Sequence, residues 1–182
     1  MRPTIALFDI DGTLVSCGGA GRRAMDFAFA AAGATPAVTE FDFGGMTDRA
    51  IARQGLRNAG LADDDASIDA LLARYLERLH EEVPRSPAYQ VLPGVPEIVD
   101  RLLELDSFAV GLGTGNLELG ARVKLTRGGL HGQFAFGGFG SDHEDRARLL
   151  AIGAERGAAR LGRPVHECRV IVIGDTPRDV AA

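Results

Sequence analysis

Three short apolar runs, each ending in an acid or a hydroxyl, constrain this chain more than anything else in it. Thr4–Phe8 leads into Asp9 and Asp11, Phe108–Gly113 into Thr114, and Arg169–Gly174 into Asp175. Short, nearly continuous apolar runs read as parallel strands buried on both faces. The third is rich in β-branched residues and is the strongest strand of the set. Phe134-Ala135-Phe136 reads as a fourth, shorter strand. Helical patterns fill the spaces between: Gly21–Ala32, Thr47–Asn58 with Thr47 as N-cap, Ser67–Val83, Pro93–Leu105, Leu117–Gly128 and Asp145–Leu161. Strands alternating with helices specify the α/β class, an open parallel sheet with helices on both faces. The carboxyl ends of such strands converge on one crevice, so Asp9, Thr114 and Asp175 are expected to share a site.

The alternation fails between about Val15 and Gln90, which holds helices and no convincing strand. This divides the chain into an α/β core of residues 1–15 and 91–182 and a helical insert of residues 16–90. Pro84, Pro87 and Pro93-Gly94 mark the return to the core. A length of 182 residues suits one domain carrying such an insert.

Bulk properties narrow the partners. The net charge of −5 argues against nucleic acid, whose backbone is met by basic surface. A small phosphorylated metabolite needs only a local positive pocket. The apolar start is too short for a signal peptide, and no stretch approaches the roughly 20 residues of a membrane span. Two cysteines, Cys17 and Cys168, read as free thiols, so the expected location is cytoplasmic.

Each strand end admits a chemical and a plain structural reading. Asp9 and Asp11, two apart in an extended segment, point to the same side and repel unless a cation holds both ionised. Mg²⁺ suits them, because it takes oxygen ligands from few carboxylates plus substrate phosphate. An isolated Asp-x-Asp-Gly would more simply be an acidic turn; the preceding strand and the companion sites favour the ion. In Gly113-Thr114-Gly115-Asn116 the hydroxyl and amides can bind phosphate, or cap the following helix. In Gly174-Asp175-Thr176-Pro177-Arg178-Asp179, helix capping explains Thr176 and Pro177 but not an acid directly after a strand.

Taken together, Asp9-x-Asp11-Gly-Thr13, Thr114-Gly-Asn116 and Gly174-Asp175-Thr-Pro-x-Asp179 resemble the motifs of the haloacid dehalogenase-like hydrolase superfamily, with the phosphoglycolate phosphatase-like branch nearest. The resemblance spans the whole chain and implies a Rossmann-like core with an inserted helical cap. It implies a Mg²⁺-dependent phosphatase acting on a small phosphate monoester through an aspartyl-phosphate. Asp9 would be the nucleophile and Asp11 the general acid and base. Asp9, the main-chain carbonyl of Asp11, and Asp175 would hold Mg²⁺, and Asp179 would support them. Thr114 would bind the phosphoryl group, with Asn116 beside it. A sugar-phosphate mutase shares the same intermediate and is the main alternative. A dehalogenase would not need the acid at Asp11, and an inactive homologue is the remaining reading.

Two features depart from the family pattern. No Lys-Pro lies between the second and third motifs, leaving Lys124 and Arg146 as the two candidates for the cation that steadies the nucleophile and phosphate. The chain also stops at Ala182, where relatives continue with a further helix and strand. A missing C-terminal strand and helix would leave an exposed sheet edge, lowering stability and favouring a homo-oligomer that covers it. Within the insert, Thr47-Asp48-Arg49 is the candidate specificity segment, Arg49 being suited to a substrate carboxylate or second phosphate. Gly18-Gly19-Ala20-Gly21-Arg22 is the candidate hinge.

Overall fold

A computed structural model describes residues 2–36 and 40–181, with side chains through Asp179. The core is a four-stranded parallel sheet in the order β5-β4-β1-β6, built from β1 (Thr4–Phe8), β4 (Phe108–Thr114), β5 (Gly137–Phe139) and β6 (Arg169–Ile173). β1 is buried at all five positions, as its unbroken apolar run requires. Its side chains alternate between two clusters. Ile5 and Leu7 meet Leu149, Leu150, Ala154 and Ala158 of helix α6 (Arg146–Arg160). Ala6 and Phe8 join the larger cluster on the other face. Each Leu or Ile so buried contributes about 1.5–3 kcal/mol.

The register places the functional strand ends side by side, with Phe8 opposite Leu112 on one flank and Ile173 on the other. Asp9 extends this alignment, its amide donating to the Ile173 carbonyl at 2.8 Å. Helices α4 (Val95–Leu103), α5 (Glu118–Arg127) and α7 (Pro177–Ala181) follow β3 (Gln90–Val91), β4 and β6. β6 is an edge strand among the described residues, and Val170 is 41% exposed.

The fourth strand differs from its sequence reading. It forms at Gly137–Phe139, three residues beyond Phe134-Ala135-Phe136. The reason is close packing, since a Cβ on Gly138 would lie 1.9 Å from the Leu149 carbonyl oxygen of α6. Only a glycine lets helix and strand backbones approach this closely.

Residues 20–85 contribute α1 (Ala20–Ala31), α2 (Asp48–Asn58) and α3 (Asp65–Arg85), with α1 lying along α3. Thr47 caps α2 by accepting from the Ala50 amide at 3.2 Å, and Asp64 caps α3 through the Ser67 amide at 2.8 Å. Pro84 lies within the last turn of α3 and does not mark a break there. The stretch expected to lack strands holds a short antiparallel ribbon at its two crossings. β2 (Val15–Ser16) pairs with β3 (Gln90–Val91), bringing the entry and exit of the helical segment together. No helix among the described residues is long and apolar enough to cross a membrane.

Candidate active site

Above the ends of β1, β4 and β6 lies a cavity of about 350 Å³, closed on its far side by α1, α2 and α3. Asp9, Asp11, Asn116, Lys124, Arg146 and Asp175 all line it. One carboxylate oxygen from each of Asp9, Asp175 and Asp179 lies within 4.8 Å of the others, an all-oxygen donor set of the kind a hard divalent cation takes. Asp9 and Asp179 are buried, and Asp175 is exposed.

Local backbone geometry makes this cluster. Gly12 has φ 80°, and a Cβ there would fall 2.2 Å from Asp175 Oδ2, so only glycine turns the chain beside that carboxylate. Asp179 bends back over its own helix start, accepting from the Thr176 amide at 2.9 Å and hydroxyl at 2.6 Å. It also pairs with Arg146, whose Nη2 lies 3.1 Å from Asp9 Oδ2. The oxygens of Asp179 are thus already engaged. Among the described residues Asp175 receives only a 3.5 Å contact from Thr13 Oγ1 and remains open to a ligand.

Asp9 and Asp11 line the same cavity, and the charge of Asp11 bears on Asp9. Asp11 turns to a second cation, with Lys124 Nζ 2.6 Å and Asn116 Nδ2 2.9 Å from its Oδ2. Lys124 also donates to Asn116 Oδ1 at 2.6 Å. Asn116 Nδ2 in turn reaches Thr114 Oγ1 at 2.8 Å, and that hydroxyl bonds Asp9. The two sequence candidates for one cation therefore occupy two places. Arg146 serves Asp9 and Asp179, and Lys124 serves Asp11 and Asn116.

These placements set the charges. Burial pushes Asp9 up, against the opposing charge of Arg146 and the Thr114 bond. Asp11 is half-open to the cavity yet surrounded by protein, which pushes it up; the charge and hydrogen bond of Lys124 outweigh this and hold it below the usual range. Burial would lower Lys124, but Asp11 drives it well above its ordinary value. Cys17 is pushed up to about 12 by burial and stays a protonated thiol, consistent with no nucleophilic role.

Of the specificity segment, only Asp48 reaches the cavity. Its Oδ2 accepts from the Leu117 amide at 2.8 Å, and its amide donates to the Gly115 carbonyl at 2.8 Å. Thr47 donates to the Glu144 carbonyl at 2.9 Å, and Arg53 is bonded to the Glu144 carboxylate at 3.0 Å, so this turn seals the helical segment to the core. Arg49 points elsewhere, pairing with Asp65 and Asp69 of α3. Tyr75, Met25 and Arg22 line the cavity without having been singled out as ligand contacts. Tyr75 falls in the helical pattern Ser67–Val83, Met25 in Gly21–Ala32, and Arg22 in the hinge segment. Gly18 and Gly19 of that hinge segment have φ 56° and 78°, with Gly19 capping α1.

Asp48 carries a pH-dependent prediction. Burial raises its carboxyl from 3.8 to about 6. The folded chain binds this proton more tightly than the unfolded chain does. Its contribution to stability is therefore full below the unfolded value and is lost as pH rises through the folded one. Asp48→Asn keeps an acceptor for the Leu117 amide and removes the charge. Urea unfolding should find variant and wild type equal near about pH 3, and the variant more stable by on the order of 2–3 kcal/mol at about pH 8. A pH-independent difference would contradict this assignment.

Comparison with known proteins gives the family and the fold. A family model described as haloacid dehalogenase-like hydrolase matches residues 3–182. No curated protein matches the chain. Among solved structures, a hydrolase from Pseudomonas syringae is 20% identical with a TM-score of 0.71, covering 98% of this chain and 78% of its own. CbbY from Rhodobacter sphaeroides, in complex with phosphate, is 16% identical with a TM-score of 0.71, covering 98% and 80%. A predicted phosphoglycolate phosphatase from Haemophilus somnus is 15% identical with a TM-score of 0.65, covering 98% and 79%. At these identities the three share its fold.

Proposed function

The chain belongs to the haloacid dehalogenase-like hydrolase family, and from that premise we propose that it is a Mg²⁺-dependent phosphatase of small phosphate monoesters, working through an aspartyl-phosphate on Asp9. The observation that carries the reading is the meeting of the Asp9, Asp175 and Asp179 carboxylates at adjacent strand ends, beside Thr114 and Arg146. The phosphate held by the CbbY fold neighbour is in keeping with it. The helical segment 16–90 acts as the cap that closes over the substrate. A cytoplasmic setting fits the two free, buried thiols.

The donor set fits Mg²⁺, with Asp9, Asp175 and the main-chain carbonyl of Asp11 as ligands and Asp179 held by Thr176 and Arg146 in support. When bound, the ion offsets the repulsion between the carboxylates and the phosphoryl oxygens. Thr114, with Asn116 beside it, holds the phosphoryl group. Arg146 orients Asp9, and its Nε, buried and without an acceptor among the described residues, is a donor suited to a phosphoryl oxygen.

The Asp9 carboxylate attacks phosphorus, and the bond from phosphorus to the ester oxygen breaks. The departing oxygen takes a proton from Asp11, which enters this step protonated although Lys124 favours its ionised form at rest. Asp11, again ionised, accepts a proton from water as that water attacks the phosphoryl group on Asp9. Phosphate leaves, Asp9 is restored, and Asp11 carries the proton from water into the next turnover.

Hydrolysis of a generic aryl phosphate tests this. Turnover is expected with Mg²⁺ and lost with EDTA, and acid quenching followed by peptide mapping should find phosphate on Asp9. Turnover indifferent to EDTA, or phosphate on another residue, would remove the mechanism.

A further inference from the structure

Every cation that lines the cavity among the described residues already has an anionic partner. Arg146 serves Asp9 and Asp179, and Lys124 serves Asp11. Arg22, on the cap side, is the one remaining place where a second substrate anion could dock. Its Nε lies 2.9 and 3.0 Å from the two oxygens of Asp26. Its Nη1 donates to the Phe41 carbonyl at 3.2 Å, and its guanidinium lies 4.3 Å from the Phe43 ring centre. Arg49, the cation the sequence offered for this purpose, is occupied by Asp65 and Asp69 and does not line the cavity.

Apart from the paired Arg22, what faces the leaving group is uncharged or acidic. Met25, Phe43 and Ile51 form an apolar wall, and Asp48 and Tyr75 add polar groups to it. Both are almost wholly buried, and neither is cationic. A carboxylate or second phosphate placed here would lose its water without gaining a counter-charge, and would meet Asp48 besides. An alcohol hydroxyl could donate to Asp48 or exchange a hydrogen bond with Tyr75 while its carbon skeleton lies on the apolar wall. The volume of about 350 Å³ is at the small end of ligand cavities.

We propose that the substrate is the phosphate monoester of a small, uncharged, hydroxyl-bearing alcohol, and that esters whose leaving group carries a second anion are discriminated against by a cavity whose cap-side cation is neutralised by Asp26. This deepens the phosphatase reading and rests on it.

The test compares kcat/KM with Mg²⁺ for 2-hydroxyethyl phosphate, ethyl phosphate and 2-phosphoglycolate, with an aryl phosphate as the activity control. The hydroxyethyl ester should exceed both of the others by about tenfold or more. Asp26→Asn, which removes the carboxylate charge beside Arg22, should shift the ratio toward 2-phosphoglycolate by about tenfold while aryl phosphate turnover stays as it was. A wild-type preference for 2-phosphoglycolate, or parity of the ethyl and hydroxyethyl esters, would overturn the proposal while aryl turnover leaves the phosphatase reading standing. A ratio unmoved by Asp26→Asn would overturn the role given to Asp26. Failure of all four esters would overturn the phosphatase reading itself, and the substrate proposal with it.

Discussion

Asp9→Asn should lower aryl phosphate turnover by about 10⁴-fold or more while leaving the fold intact. The substitution is isosteric, so the loss is of charge and nucleophilicity alone. Its expected effect on stability separates it from a folding defect. Burial raises the Asp9 carboxyl, so ionising it costs the folded chain more than the unfolded one. The stability this group contributes is present at low pH and declines as pH rises through its folded value. Removing the charge should therefore leave stability at neutral pH equal to wild type or higher. Arg146 keeps its pairing with Asp179 and is not stranded. Parallel measurement of turnover and urea midpoint checks both halves. A dead variant with a sharply lowered midpoint would show that Asp9 holds the site together rather than attacking phosphate.

The strand ends were legible because an acid directly after an apolar run is costly to place unless something uses it. Asp9 and Asp175 announced themselves in this way, and the alternation of strands with helices supplied the sheet that joins them. The fourth strand was less legible. Gly137 and Gly138 have low strand propensity, and what selects them is the approach of the Leu149 carbonyl, a contact invisible before α6 is docked. The β2–β3 ribbon is two residues long on each side, too short for any periodicity. In Thr47-Asp48-Arg49, successive residues on α2 point about 100° apart. Sequence alone could not say which of them turns toward the cavity; Asp48 does so because the Leu117 amide and Gly115 carbonyl receive it.

Lys124 shows the same limit at longer range. In sequence it is one of two candidate cations, and its partner Asp11 is 113 residues away. Only the docking of α5 beside the β1 turn makes the pair. The consequence is a division of labour absent from the motif pattern. One cation sits on the carboxylate assigned to attack phosphate, and another on the carboxylate assigned to move protons. Mutating either should act on a different half of the reaction.

Gly115→Ala should lower kcat/KM for aryl phosphate by about 10²-fold and destabilise the chain by about 1–3 kcal/mol. A Cβ at Gly115 would lie 2.3 Å from the Met46 carbonyl oxygen and 2.9 Å from Thr47 Cα. Both are backbone atoms, so no rotamer change relieves the contact. The backbone of Gly115 does not have positive φ, so alanine brings no torsional strain of its own and the clash acts only at the seam. Relief requires the turn before α2 to retreat. That movement weakens the bonds from the Asp48 amide to the Gly115 carbonyl and from the Leu117 amide to Asp48, both 2.8 Å. It also loosens the Thr47 bond to Glu144 at 2.9 Å. The cavity wall formed by α1, α2 and α3 then withdraws from the strand ends, and a displacement of about 1 Å is enough for a loss of this size. Gly132→Ala is the control, because nothing lies within 4 Å of its Cβ position and its φ is not positive. It should match wild type in turnover and midpoint. Full activity in Gly115→Ala would mean that turnover does not require this seam to close.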